Sequence, residues 1–180
     1  MMFVLMMFVL VGFVSAQEAL IVAKPVEGVW IADGVSEYEV RVYADNTGLN
    51  GEITDAIQWK LMIPDELEPY VTITMAEKNP VNDFFVDSNM FFEIVTKVIE
   101  DGQTRIVDIG YGKSNQIGNV ASYWMTIDPS FKDFGVKSFD LNDVLFTDPD
   151  NQNQPYRIET MPFEVVSKKR SLLKKVSDFV

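Results

Sequence analysis

The segment Ile57-Gln58-Trp59-Lys60-Leu61-Met62-Ile63 alternates between two sets of side chains along its whole length. Successive side chains of a β-strand point to opposite faces of the sheet, so a period of two predicts a half-buried strand. One face then carries the apolar set Ile57, Trp59, Leu61 and Ile63. The other face carries Gln58, Lys60 and Met62, which we therefore expect at the surface of the protein.

Short β-rich runs recur on both sides of this segment, and turn-forming residues separate them. Asp101-Gly102 between two such runs is typical of a two-residue hairpin turn. No long helical period interrupts the series, which predicts an all-β fold, namely a two-sheet antiparallel β-sandwich of about nine strands, or a barrel. The predicted strands span residues 19–23, 29–32, 37–44, 57–63, 71–75, 92–99, 104–109, 120–127, 144–147 and 156–166.

The first sixteen residues carry no charged side chain and are mostly Met, Phe, Val and Leu. This run is shorter than the roughly 20 residues that cross a membrane, and Val14-Ser15-Ala16 supplies the small or modest residues that signal peptidase accepts at positions −3 and −1. We therefore predict a signal peptide over residues 1–16, a secreted or surface-associated protein, and one β-sandwich domain over residues 17–166. An uncleaved N-terminal anchor is the alternative, because the segment lacks the Lys or Arg of a strong signal peptide.

The last fourteen residues differ from the body in both charge and period. Residues 17–166 contain 10 basic and 26 acidic residues, a net charge of −16, whereas residues 167–180 contain five basic residues and one acidic residue. Leu172, Leu173, Val176, Phe179 and Val180 recur at helical spacing, which predicts a short amphipathic helix. Such a tail contacts a membrane surface or a partner, or else folds back on its own acidic body.

Composition excludes several functions. The chain has no Cys and no His, so it has no disulfide, no zinc site with those ligands and no Ser-His or Cys-His nucleophile. The acidic body argues against nucleic acid as a partner, since phosphate binding depends on Lys and Arg. We found no catalytic signature, and the close carboxylates Asp65, Glu66 and Glu68 are a weak basis for glycoside hydrolysis in so acidic a chain. We expect a protein without enzymatic activity.

Two sets of residues are candidates for ligand binding. Asp148, Asp150 and Glu159 occupy positions 1, 3 and 12 of a calcium-loop spacing, but Asn153 stands where that loop requires Gly, so a plain turn is the favoured interpretation. Calcium is the one cofactor that this pattern admits. Aromatic residues suggest a sugar-binding platform, and the adjacent pair Tyr123 and Trp124 must point to opposite faces of their strand. The outward member is the better sugar contact. The aromatic candidates are Trp30, Trp59, Tyr111, Tyr123 and Trp124.

Three segments together resemble the cohesin domain, the β-sandwich module of cellulosome scaffoldins and many cell-surface proteins. These are residues 56–64, which form a strand ending in a Pro turn, residues 118–127, in which a Gly precedes a strand, and residues 139–151, in which a strand precedes an Asp/Asn turn. The resemblance covers roughly residues 28–166. Ile63 stands where cohesins often carry an Asp before the Pro.

The resemblance implies a cohesin-like or immunoglobulin-like sandwich that binds a protein partner, a dockerin-like module or a surface protein, through one sheet face. It places Gln58, Lys60 and Met62 outward on that face. Two other functions are consistent with the sequence: a carbohydrate-binding or adhesive sandwich whose partner is a polysaccharide, and a structural subunit of a surface layer or filament. Coplanar exposed aromatics favour the first of these, and extended exposed strand edges favour the second.

The predicted cleavage site can be tested directly. Mass spectrometry of the secreted protein is expected to give an N-terminus at Gln17, because signal peptidase removes residues 1–16. Recovery of the intact N-terminus from extracted protein would instead support a retained anchor.

Overall fold

A computed structural model describes residues 18–49, 54–78, 84–85, 93–100, 103–111 and 117–168. The all-β prediction is confirmed, because the described residues form twelve strands and two single-turn 3-10 helices, Thr47–Leu49 and Glu68–Tyr70. The predicted signal peptide lies outside the described residues, as does the predicted C-terminal helix beyond Lys168. The strands are β1 (Ala19–Pro25), β2 (Val29–Ala32), β3 (Tyr38–Asp45), β4 (Ala56–Met62), β5 (Val71–Lys78), β6 (Glu93–Glu100), β7 (Gln103–Tyr111), β8 (Ile117–Ile127), β9 (Gly135–Ser138), β10 (Asp140–Thr147), β11 (Tyr156–Thr160) and β12 (Pro162–Ser167).

The strands form three sheets. A five-stranded sheet has the order β11-β1-β3-β8-β5, a four-stranded sheet has the order β10-β4-β7-β6, and a three-stranded sheet has the order β2-β12-β9. The predicted hairpin at Asp101-Gly102 is confirmed, because β6 and β7 pair antiparallel with Glu100 opposite Gln103.

The prediction of two purely antiparallel sheets is wrong in two respects. The predicted strand 156–166 is divided at Met161 into β11 and β12, which run parallel to β1 and β2 respectively. The first of these pairs stays in the five-stranded sheet, whereas β12 takes β9 as its other neighbour and forms the third sheet. The described residues contain twelve strands, whereas ten segments are predicted from the sequence, and β9 is not among those ten.

The alternation of β4 is the one predicted from the sequence. Ile57, Trp59 and Leu61 are fully or almost fully buried, whereas Gln58, Lys60 and Met62 are half-buried. Strand β3 shows the same regular alternation. The inward side chains that the structure describes on both large sheets, those of β4 and β10 on one and of β1, β3 and β8 on the other, belong to one apolar cluster, so the core lies between these strands.

One hydrogen bond joins the two large sheets across this core. The indole Nε1 of Trp59 in β4 donates to the hydroxyl of Tyr123 in β8 at 3.2 Å, and both side chains are fully buried. A buried Trp N–H needs an acceptor, and the hydroxyl oxygen of Tyr123 supplies it.

A second group of rings attaches the three-stranded sheet to the core. Trp30 of β2 stacks on Tyr38 of β3 with 4.9 Å between ring centroids, and it lies 4.4 Å from Phe163 of β12. Phe139 stacks on Phe163 at 5.1 Å. The Tyr38 hydroxyl also accepts the backbone N–H of Ile31 at 2.7 Å. These contacts place the small sheet at one end of the core. No helix of the described residues is long and apolar enough to cross a membrane.

The assignment of faces on β4 predicts unequal effects for two neighbouring substitutions. Trp59→Ala is expected to lower the free energy of unfolding by about 3–5 kcal/mol, because it removes a fully buried ring and breaks its hydrogen bond to the Tyr123 hydroxyl. Lys60→Ala is expected to change it by about 0.5 kcal/mol or less, since partly exposed ion pairs contribute little. Urea titration measures both, and equal effects would show that the register of β4 is wrong.

Candidate functional site

The outward residues of β4 lie on the surface of the four-stranded sheet, as predicted. Met62 is opposite Asp140 of β10, Lys60 is opposite Asn142, and Gln58 is opposite Leu145. Asp140 and Asn142 are exposed, and Leu145 keeps 36% of its surface exposed. We call this set the outer face. Its described members are Gln58, Lys60, Met62, Asp140, Asn142, Asp143 and Leu145.

A β-bulge in β10 holds two of the predicted contact residues. The register between β10 and β4 shifts between Asn142 and Leu145, and Asp143 has a φ of 47°, in the left-handed region that Asp tolerates better than most residues. The Asp143 carboxylate forms an ion pair with Lys60 Nζ, and its carbonyl accepts a 3.4 Å hydrogen bond from the Gln58 amide. The bulge therefore holds the Gln58 and Lys60 side chains before any partner arrives.

Beside Met62 the outer face deepens into a pocket of about 390 Å³. Three carboxylates, those of Asp65, Glu66 and Asp140, line this pocket together with the apolar side chain of Met62. A cationic side chain with an aliphatic stem matches this combination of charge and apolar surface. The pocket lies where the turn after β4 meets β10, and residues of both line it.

One carboxylate of that turn, Glu66, has a structural partner. Lys137 of β9 is almost fully buried, and its Nζ donates to Glu66 and to Asp133, each at 2.8 Å. The hydrogen bond from Lys137 lowers the pKa of Glu66 below its ordinary value. A general acid for glycoside hydrolysis requires a raised pKa, so the environment of Glu66 opposes that role.

The structure separates the aromatic candidates. Trp30, Trp59 and Tyr123 are fully buried, so none of them can contact a sugar at the surface. Tyr123 and Trp124 point to opposite sides, as predicted, and Trp124 is the outward, half-buried member. Trp124 lies on the five-stranded sheet opposite Glu39, away from the outer face. Trp124 is the one candidate ring at the surface among the four whose side chains are described, and a single ring does not form a sugar-binding platform. The side chain of the fifth candidate, Tyr111, lies outside the described part of the chain.

The calcium candidates form a turn. Asp148 Oδ1 accepts the backbone N–H groups of Asp150 at 2.9 Å and of Gln152 at 2.8 Å, as the favoured interpretation expected. Glu159 lies in β11, where its carboxylate pairs with the Arg157 guanidinium. No cluster of three or more acidic side chains suited to a metal ion is present among the described residues.

Sequence reasoning missed the contribution of β10 to this site. The predicted strand began at Val144, after Asn142-Asp143, so the outward residues Asp140, Asn142 and Asp143 were not assigned to the sheet. The polar Asn142-Asp143 pair is itself a signal, because both residues are common in bulges and turns. The pair shows which side chains join the site only once β10 is known to pair with β4.

Comparison with protein-family models and with curated protein sequences gives no match. Comparison with solved structures gives cohesin modules. The chain has a cohesin-like fold. A non-cellulosomal cohesin from the hyperthermophilic archaeon Archaeoglobus fulgidus is 14% identical, with a TM-score of 0.58 over 87% of this chain and 97% of that chain.

Two further cohesins align over similar lengths. A cohesin from Clostridium thermocellum, solved in a type I cohesin–dockerin complex, is 13% identical, with a TM-score of 0.59 over 83% of this chain and 93% of that chain. The cohesin module of a family 33 glycoside hydrolase from Clostridium perfringens is 13% identical, with a TM-score of 0.59 over 85% of this chain and 98% of that chain. The resemblance read from the sequence is confirmed at the level of the fold.

The left-handed conformation of Asp143 predicts the order of two substitutions. Asp143→Ala is expected to lower the free energy of unfolding by about 1–2 kcal/mol, because it loses the ion pair with Lys60 and places a Cβ without a polar group at positive φ. Asp143→Gly loses the same ion pair without the steric cost, so its effect is expected to stay below about 1 kcal/mol. Chemical denaturation of both variants measures the difference, and a Gly variant less stable than the Ala variant would contradict the bulge geometry.

Proposed function

We propose that this cohesin-like chain is a non-enzymatic interaction module, secreted or held at the cell surface, that binds a protein partner through the outer face. The observation that carries the proposal is the agreement between two independent features. The sequence resemblance places Gln58, Lys60 and Met62 on the sheet that cohesins use for binding, and those residues lie outward beside the acidic pocket. Several of the structurally similar cohesins were solved in complexes with dockerins.

The chemistry of the outer face indicates the kind of partner. Lys60 is the one cation that β4 and β10 contribute to this face and is already paired with Asp143, whereas Asp140 and the pocket residues Asp65 and Glu66 add negative charge. Met62 and Leu145 supply apolar contact area on the same face. A partner that presents a basic side chain beside apolar residues would complement this surface, and the net charge of −16 in the body would speed its approach.

The domain boundaries belong to the same proposal. Residues 1–16 direct export, residues 17–166 form the binding domain, and residues 167–180 form a basic tail that contacts an anionic envelope surface. The carbohydrate-binding alternative receives no support from the described aromatic residues, since Trp124 is the one such candidate at the surface. Calcium dependence stays a prediction of the Asp148 and Asp150 turn.

The binding face can be tested by a charge substitution with a matched control. The wild-type chain is immobilised, and the protein that it captures from the native surface fraction is identified and purified, with and without calcium. Met62→Arg is expected to reduce the affinity for that protein by at least tenfold, because it places a cation where a basic partner side chain would bind. Trp124→Ala, on the other large sheet, is expected to leave the affinity unchanged. The opposite pattern would contradict the proposal and move the site to the five-stranded sheet.

The tail requires a separate test. Deletion of residues 168–180 is expected to abolish attachment to vesicles that contain anionic lipid, and attachment of the intact chain is expected to weaken as salt rises. The melting temperature is expected to stay nearly unchanged, because the deletion leaves β12 intact through Ser167. A fall of several degrees with unchanged attachment would show instead that the tail packs on its own domain.

A further inference from the structure

Strand β11 is an unusual edge of the five-stranded sheet. All five of its residues are exposed, and within the described part of the chain it pairs with β1 alone. An unpaired edge is a template for another strand, and proteins commonly blunt such edges with a bulge or a Pro. The edge strand β10 of the four-stranded sheet carries such a bulge, but β11 is regular between Pro155 and Pro162.

Two backbone hydrogen bonds fix which groups of β11 face outward. Ala19 N–H donates to the Pro155 carbonyl at 2.9 Å, and Met161 N–H donates to the Ala23 carbonyl at 3.3 Å. Alternate residues of a parallel strand bond to the same neighbour, so Arg157 and Glu159 also direct their backbone groups to β1. The N–H and C=O groups of Tyr156, Ile158 and Thr160 therefore point away from the sheet.

The side chains of β11 are complementary to a reversed copy of the same strand. An antiparallel pair centred on Ile158 places Arg157 opposite Glu159 of the second copy, and Glu159 opposite Arg157 of the second copy. Tyr156 then faces Thr160, and Ile158 faces its own equivalent. In this register Tyr156, Ile158 and Thr160, whose backbone groups point away from the sheet, are the residues that exchange backbone hydrogen bonds with the second copy. Both ion pairs fall at the intervening positions, where cross-strand side chains lie closest.

We propose that β11 is a self-association edge, at which a second copy of this chain binds antiparallel about a two-fold axis through Ile158. The charges identify the partner strand as a second copy of β11, because in a reversed copy Glu159 lies opposite Arg157 and Arg157 lies opposite Glu159. Arg157 and Glu159 now pair with each other within the strand, with about half of each side chain exposed, so both are free to exchange partners. Ile158 and Tyr156, which are 39% and 37% exposed, lose solvent contact in the pair.

The two-fold closes the association at two copies. The prolines on either side limit the pairing to five residues and prevent the ladder from growing further. A five-residue ladder is a small interface, so the dimer is expected to form in a concentration-dependent way. The association joins two five-stranded sheets into one and leaves the outer faces of both four-stranded sheets available to partners. It is thus independent of the proposed function.

Charge reversal tests the register. Sedimentation of the purified chain over a range of concentrations is expected to show a monomer–dimer equilibrium. Arg157→Glu and Glu159→Arg each oppose like charges at both ion pairs, and each is expected to raise the dissociation constant by roughly tenfold. An equimolar mixture of the two variants is expected to recover the wild-type affinity, because both acidic side chains of the first variant's strand then face basic side chains of the second. A wild-type chain that stays monomeric, or a mixture that associates no better than the single variants, would overturn the proposal.

Cross-linking locates the axis independently. The chain contains no Cys, so a single introduced thiol reports on one position. Ile158 faces its equivalent at about 5.5 Å between Cα atoms, which is within the range that a disulfide spans. Ile158→Cys is expected to form a covalent dimer on mild oxidation. Val35→Cys, in the exposed connection between β2 and β3, is expected to form much less. Equal cross-linking of the two variants would contradict an axis at Ile158.

Discussion

Trp59 and Tyr123 meet in the core, where the indole N–H of Trp59 donates a 3.2 Å hydrogen bond to the Tyr123 hydroxyl. It joins the middle of β4 to the middle of β8, and so it fixes how the two large sheets face each other. Because side chains alternate along a strand, burial of Trp59 sends Gln58, Lys60 and Met62 outward. Burial of Tyr123 likewise sends Trp124 to the surface of the other sheet. A shift of one residue in the register of either strand would move its buried side chains to the surface and its outward side chains into the core.

The alternating segments were predictable because their pattern is local. The faces of β4, the boundaries of β2 and the β6–β7 hairpin all follow from the order of side chains and from turn residues. The division of residues 156–166 into two strands was not predictable in this way. It depends on the break between β1 and β2, which forces the returning chain to pair first with one strand and then with the other. Strand β9 has four residues, and its Lys137 is buried through ion pairs with Glu66 and Asp133, so its inward pattern is not apolar.

The candidate site was half predictable for the same reason. The outward residues of β4 follow from its period, but the contribution of β10 depends on a pairing between distant segments and on the left-handed conformation of Asp143. The acidic pocket forms only where the turn after β4 meets β10. The choice between Tyr123 and Trp124 was likewise open in the sequence, and the hydrogen bond with Trp59 decides it. Local periodicity thus predicts which side chains are outward, and tertiary pairing decides what they lie beside.

A double-mutant cycle between Trp59 and Tyr123 tests the central claim most directly. The free energy of unfolding is measured for the wild type, Trp59→Phe, Tyr123→Phe and the double variant. We expect the two losses not to be additive, with a coupling of about 0.5–1.5 kcal/mol, because removing either partner already breaks the same buried hydrogen bond. Losses that add to within about 0.3 kcal/mol would contradict a direct contact between the sheets at this point.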